Sequence, residues 1–174
     1  MIAVVLGLGN DYRRDDGLGP TVAREVAARG AADVRASVSD GDPTRMLDAW
    51  AGADLAVLVD AVVSDPPRPG TVHRFDSNTV AALPTPTVST HGVGLITALG
   101  WGSVLDRLPR RWVLYAVEVV DVGYGRGLSP AAAGAVESVV EAVLSELAGL
   151  TGQPAVGRSP NAPAPDWSNP AACS

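Results

Sequence analysis

Apolar and polar positions along the chain form short β-type runs that alternate with helical ones. Residues 2–8 are apolar without a polar alternation, which predicts a strand buried on both faces, as in a parallel sheet. Leu18, Val22 and Val26 then recur at helical spacing, and Gly30 provides a stop signal. Further strands are predicted over residues 33–38, 55–63, 71–75 and 112–120, and further helices over residues 44–50, after residue 91 and from residue 130. This order predicts one three-layer α/β domain, with helices on both faces of the sheet.

The middle of the chain carries the strongest turn signals. The sequence PPRPG at residues 66–70 interrupts the pattern, so the short segment that follows it is predicted to be an edge strand. The apolar helix after residue 91 contains Gly100 and Gly102, which are expected to weaken its continuation. Trp101, between these glycines, is expected to pack in the core or at its rim.

The last helix has clear boundaries. Ser129 is a preferred N-cap residue, Pro130 suits the first helical position, and Gly149 provides the end. From about residue 150 the composition shifts to Gly, Pro, Ser, Ala and Asn, with little that could pack. We therefore expect a single domain over residues 1–149 and a disordered tail over residues 150–174.

Composition and charge limit the classes of function. The 174 residues are 47% hydrophobic and 18% charged, as expected for one globular domain. No apolar run reaches the ~20 residues of a membrane span, and the apolar start is too short for a signal peptide, so we expect a cytoplasmic protein without a membrane partner. A net charge of −6 disfavours a nucleic-acid partner. The only cysteine, Cys173, lies in the polar tail, which excludes a disulfide framework or a cysteine-based metal site.

Polar residues follow several predicted strands, at the positions where open α/β sheets gather their functional groups. These residues are Asp16 after the first strand, Asp40 after the second, Asp60 at the end of the third and His91 at the start of a helix. The sequence GLG at residues 7–9 invites a dinucleotide-binding interpretation, but Tyr12 occupies the place of the required third glycine. The glycines are instead expected to form a tight turn that allows a close backbone approach.

Asp16, Asp60 and His91 form a candidate divalent-metal site, since two carboxylates and one imidazole are suitable ligands for an open site. A position near a helix N-terminus favours the neutral, metal-binding form of His91. The structural alternatives are that Asp16 caps the helix and that His91 is an exposed loop residue. Asp60 is harder to explain in that way, because a carboxylate within an apolar strand is costly without a partner or a task. His73, in the predicted edge strand, is interpreted as a surface histidine.

Four motifs, in this order, resemble those of the hydrogenase maturation endopeptidase family. They are LGLGN and DDGLG at residues 6–10 and 15–19, DAV with PGT at residues 60–62 and 69–71, STHGVGL at residues 89–95, and GLSP at residues 127–130. Together they extend over nearly the whole chain before the tail. The chain departs from the family pattern after Asp40, where DPT at residues 42–44 replaces a common Gly-Thr.

The resemblance implies a twisted, mainly parallel sheet of about five strands between helices. It also implies an endopeptidase that removes the C-terminal extension of a hydrogenase large-subunit precursor after nickel insertion. Asp16, Asp60 and His91 match the metal-holding and catalytic positions of the family, and Asp40 matches an acidic position beside the cleft that we assign to substrate binding. The nickel would be supplied by the substrate and not bound permanently.

Two other functions compete with this one. Peptidyl-tRNA hydrolases also open with a strand and a Gly-Leu-Gly-Asn turn, but residues 11–30 contain no histidine to serve as their catalytic residue, and the acidic charge disfavours tRNA. A nickel-binding maturation chaperone or scaffold on the same fold would use the same three ligands without cleavage. Incubation with a nickel-loaded precursor distinguishes this alternative from a peptidase, because only a peptidase shortens the precursor.

Overall fold

The computed structural model describes residues 1–30, 33–79 and 91–150. Their strands are β1 (Ala3–Leu8), β2 (Val34–Ser39), β3 (Leu55–Val62), β4 (Val72–Asp76) and β5 (Arg111–Glu118). Their helices are α1 (Leu18–Ala28), α2 (Pro43–Ala49), α3 (Gly92–Val104) and α4 (Pro130–Gly149), and a 3-10 turn, Arg14–Gly17, leads into α1. Residues 151–174 of the predicted tail, including Cys173, lie outside the described residues. No described helix has the length and hydropathy that crossing a membrane requires.

The five strands form one sheet in the order β2-β1-β3-β5-β4. The first four strands in that order are mutually parallel, with Val5 of β1 opposite Ala36 of β2 and Val57 of β3. β4 lies antiparallel against β5 at one edge, where the edge strand was predicted. The predicted mainly parallel, five-stranded α/β sheet is therefore confirmed. Because β1, β2 and β3 are parallel, the loops that follow them lie at the same end of the sheet, where the strands have their carboxyl ends.

Each face of the sheet is covered by a pair of helices. On one face Val5 and its neighbours pack against α1 and α4, and on the other face Leu6 and its neighbours pack against α2 and α3. All six residues of β1 are buried, which explains why the strand shows no polar alternation. The start of α1 presses directly on the sheet, because a Cβ at Gly19 would lie 2.3 Å from the carbonyl oxygen of Leu8. This contact fixes the position of the turn that precedes α1.

Helix α3 continues past the glycines that were expected to weaken it, and ends at Val104. Gly102 is buried, and a Cβ at this position would lie 2.7 Å from Cδ2 of Leu108 and 3.2 Å from Cδ2 of Leu47. The glycine therefore serves close packing against the next segment and α2, and this packing outweighs its low helix propensity.

Asp15 joins the first loop to the last helix. Its fully buried carboxylate accepts hydrogen bonds from the backbone N–H of Ser129 at 2.6 Å, the Ser129 hydroxyl at 3.0 Å and the N–H of Asp121 at 3.3 Å. Ser129 is the N-cap of α4, as predicted, and its hydroxyl oxygen accepts from the N–H of Ala132 at 3.3 Å. The turn before α1 and the N-terminus of α4 are thus held by one carboxylate.

A second buried carboxylate, Glu118, holds the segment before β4. It accepts hydrogen bonds from the Ser64 hydroxyl, from the N–H of Arg68 at 2.8 Å and from Nε2 of His73 at 2.7 Å. The bonds from Ser64 and His73, in that order of size, lower the pKa of Glu118 to about 2 although burial opposes the shift. His73 lies at the surface of the edge strand, as interpreted, with its side chain 34% exposed, and it also pairs with Glu118 because β4 lies beside β5.

Replacement of Asp15 by Ala is expected to lower the free energy of unfolding by about 3 kcal/mol, because three partly buried donors lose a buried acceptor. Denaturant unfolding measures the change. Asp11→Ala is the matched control, since Asp11 makes a partly exposed ion pair with Arg24 and its loss should cost no more than about 1 kcal/mol. Equal destabilisation by the two variants would contradict the role assigned to Asp15.

Glu118 is expected to make the free energy of unfolding depend on pH in the acidic range. Its folded pKa of about 2 lies below the ordinary value of 4.5, so the ionised carboxylate stabilises the fold above pH 4.5 and this contribution is lost as the pH falls towards 2. Urea titrations between about pH 6 and about pH 3 should show a shallower loss of stability in Glu118→Gln than in the unmodified protein. The same slope in both proteins would refute the assignment.

Candidate active site

Asp16 lies in the turn between β1 and α1 and is 4% exposed. Its Oδ2 accepts a hydrogen bond from the N–H of Asn10 at 2.9 Å, so the carboxylate holds the loop that follows β1. It does not cap α1, whose N-cap is Gly17 without a side-chain hydrogen bond. Gly9 has φ +138°, and a Cβ there would lie 1.9 Å from the Asp16 carbonyl oxygen. The predicted tight turn with a close backbone approach is confirmed.

His91 stands directly before α3 and contacts two of the other loops. Its Nε2 lies 3.2 Å from Oδ1 and 3.3 Å from Oδ2 of Asp16, and its Nδ1 lies 2.9 Å from the carbonyl oxygen of Asp40. A carbonyl oxygen can only accept, so Nδ1 carries the hydrogen and donates it. The ring is 7% exposed, and the alternative of an exposed loop histidine is therefore wrong.

The tautomer of His91 determines what its other nitrogen can do. With the hydrogen on Nδ1, the lone pair of neutral Nε2 faces the oxygens of Asp16. Two acceptors in this position are favourable only when a proton or a cation lies between them. This geometry is suited to binding a positively charged group.

The electrostatics of His91 differ from the expectation. The hydrogen bond to Asp16 is the largest effect and raises the pKa of His91; burial opposes this effect, and the charges of Asp60 and Asp16 reinforce it. The expected effect of the helix N-terminus, which favours the neutral ring, therefore acts against the hydrogen bond to Asp16, which favours the charged ring.

Asp60 lies on β3, two residues before its end, and is 2% exposed. By strand alternation its side chain shares the face of Ala56 and Leu58, which is the face covered by α2 and α3. The structure therefore brings Asp16 and His91 into contact and places Asp60 close enough for its charge to act on His91. Within residues 1–30, 33–79 and 91–150, no three His, Cys, Asp or Glu side chains are grouped closely enough to hold a metal ion by themselves.

Asp40 contributes to the site through its backbone and leaves its carboxylate at the surface. The carboxylate pairs with Arg45 at 3.0 Å beside a cleft of about 300 Å³ that Ser39 also lines. Gly41, with φ +85°, allows the loop to pass over the histidine ring, since a Cβ there would lie 2.7 Å from Nδ1 of His91. Sequence reasoning missed this backbone contact, for which the glycine after Asp40 was the only signal.

Asp15 was also missed as a supporting residue. The pair Asp15-Asp16 was visible in the sequence, but only the fold shows that one carboxylate faces α4 and the other faces His91. Residues 89–90 of the histidine motif lie outside the described residues.

Comparisons with known proteins agree with this architecture. Residues 21–146 match the family model of the HycI hydrogenase maturation proteases, a stretch that includes Asp40, Asp60 and His91 and begins after Asp16. The chain is 28% identical over 149 residues to the hydrogenase 2 maturation protease of Escherichia coli K12, covering 84% of this chain and 91% of that protein.

Solved structures show the same fold. The hydrogenase maturating endopeptidase HybD from E. coli superposes with a TM-score of 0.75 at 27% identity, covering 86% of this chain and 94% of that one. The [NiFe] hydrogenase maturation protease HybD from Thermococcus kodakarensis gives a TM-score of 0.69 at 27% identity, covering 85% and 99% of the two chains. The family model matches well over half of the chain, and the chain therefore belongs to the hydrogenase maturation protease family, whose members are peptide hydrolases.

Proposed function

We propose that this protein is the endopeptidase that removes the C-terminal extension of a nickel-loaded hydrogenase large-subunit precursor. Family membership supports the peptidase activity and the hydrogenase substrate. The observation that supports this site as the place of reaction is the buried contact between Nε2 of His91 and the Asp16 carboxylate, which calls for a positive charge between two acceptors. We place the reaction in the cytoplasm, as predicted from the sequence.

Nickel enters this proposal as part of the substrate. Imidazole nitrogen and carboxylate oxygen are both ligands of Ni²⁺, so the chemistry of Asp16, Asp60 and His91 fits the metal. These residues would complete the coordination of a nickel ion that the precursor already holds. The protein itself then needs no permanent metal, and the precursor's metal centre is what the site recognises.

Recognition of the nickel places the scissile peptide bond beside these three residues. A water molecule polarised by the metal or by a carboxylate attacks the carbonyl carbon, and the departing amine takes up a proton. Asp16 and Asp60 are buried carboxylates beside His91 and are the candidates to accept the proton of that water. Asp40 borders the cleft and is the candidate to contact the precursor chain on one side of the bond.

Replacement of His91 by Ala, or of Asp60 by Asn, is expected to slow cleavage of the nickel-loaded precursor at least about 100-fold, because each removes a group that binds or activates at the reacting centre. Mass spectrometry of the precursor measures the loss of its C-terminal extension. Circular dichroism is expected to show an unchanged fold.

His73→Ala is the matched control, since His73 is the only other histidine and bonds to Glu118 instead of the site. At temperatures below its unfolding transition, the His73→Ala variant should cleave the precursor as fast as the unmodified protein does. Full processing by both the His91 and the Asp60 variant would overturn the proposal. A stable complex of the unmodified protein with an uncut precursor would favour the nickel-binding scaffold.

Cleavage is also expected to depend on nickel in the substrate. A precursor purified from cells grown without nickel should remain full-length with the active protein, because the site then has no cation to bind. The same precursor after nickel insertion should be shortened, and intact-mass measurement of both preparations decides the point. Equal shortening of the two precursors would show that the metal is not recognised.

A further inference from the structure

The solvent side of α3 is mainly apolar, with Thr97 as a polar residue within it, although a surface helix normally turns polar residues to water. Val93, Ile96, Trp101 and Val104 are 64%, 38%, 48% and 85% exposed. At 100° per residue they fall on one arc about 140° wide, opposite the buried Leu95, Ala98 and Leu99. Trp101, expected in the core or at its rim, thus lies half in solvent.

This pattern is confined to one of the four described helices. The exposed large apolar residues of the described helices all belong to α3, and Leu105, its C-cap, is 57% exposed as well. No residue of α3 is charged. By contrast, α4 presents Glu137 and Glu141 to solvent. An uncharged apolar stripe of this kind marks an interaction surface.

We propose that this face of α3, formed by Val93, Ile96, Trp101 and Val104, is the docking surface for the folded body of the large-subunit precursor. The inference rests on the proposed function and extends it. The partner's contacting surface is then apolar and uncharged, and it lies next to the partner's nickel centre.

Continuity with the active site identifies the precursor as the occupant. His91 is the N-cap of α3, so the stripe begins, at Val93, two residues after the residue that contacts Asp16. On the proposed function, a substrate that presents its metal to His91 approaches this end of the helix, where Val93 begins the apolar stripe. Val104 is about 16 Å further along the axis than Val93, so a partner that covers the whole stripe needs a contact surface at least that long. The folded body of the precursor is the part of the substrate that offers such a surface.

The position of the stripe also suits a transient enzyme–substrate complex. Apolar side chains gain free energy when a partner removes them from water, and they do so without the desolvation cost of charged groups. A handful of such anchors can supply most of the affinity of an interface. Substrate selection would then have two parts, the metal at His91 and the apolar surface along α3.

The test is the kinetics of the paired variants Ile96→Glu/Val104→Glu and Ile96→Lys/Val104→Lys with the nickel-loaded precursor. Both are expected to raise KM at least about tenfold, or about 1.4 kcal/mol, while kcat and the unfolding temperature stay unchanged. Charges of either sign should act alike, because the surface binds through desolvation and not through attraction. Ile2→Glu is the control: Ile2 is 45% exposed beside the opposite end of β1 and should leave KM unchanged.

A second readout does not depend on cleavage. With the photo-reactive amino acid benzoylphenylalanine in place of Val104, irradiation should give a covalent adduct of this protein with the precursor. An adduct only with a second copy, or only within the same chain, would overturn the inference, as would an unchanged KM in both paired variants. If the unmodified protein does not cut the precursor, the proposed function fails, and the crosslink still decides whether α3 docks it.

Discussion

The hydrogen bond from Nδ1 of His91 to the carbonyl oxygen of Asp40 is the constraint on which the site depends. It fixes the ring between the loop after β2 and the turn after β1, and it leaves Nε2 as the only nitrogen that faces Asp16. The two ring nitrogens of His91 can make both contacts only if the turn after β1, the loop after β2 and the start of α3 lie close together. Gly41 makes that approach possible, because any side chain there would collide with the ring. The chemistry of the imidazole is therefore determined by a backbone atom.

Two neighbouring aspartates have different roles: Asp15 supports the turn, and Asp16 belongs to the candidate active site. In a 3-10 turn consecutive side chains point about 120° apart, so Asp15 and Asp16 face different parts of the molecule. Asp15 is buried against the N-terminus of α4, and Asp16 faces His91. The anchored neighbour keeps the functional carboxylate from moving with its loop. Substitutions at Asp15 should consequently affect the site indirectly, through the position of the turn, although Asp15 contacts none of the proposed reacting groups.

Much of the fold follows from local patterns, whereas the state of the site follows from tertiary proximity. The apolar run of β1 and the capping residues of α4 were readable because neighbouring residues determine them. Asp60 could be predicted as a site residue because a carboxylate within an apolar strand is costly without a partner or a function. The raised pKa of His91 was not readable, since it depends on Asp16, which is 75 residues away in the chain. The pairing of His73 with Glu118 was missed for the same reason.

Burial also explains how such a site could discriminate between substrates. The carboxylates of Asp16 and Asp60 are almost inaccessible to water, and on the proposed function a bound precursor would remove the remaining solvent. Without a cation, this step increases the cost of the buried charges; with nickel in place, the same step strengthens their attraction to the metal because the local dielectric constant falls. On the proposed function, the difference in binding free energy between the nickel-loaded and the nickel-free precursor therefore grows as water is excluded from the complex. An apolar docking surface along α3 would favour that tightening, since its contribution does not depend on the metal. On the proposed function, affinity and discrimination then come from separate parts of one continuous surface.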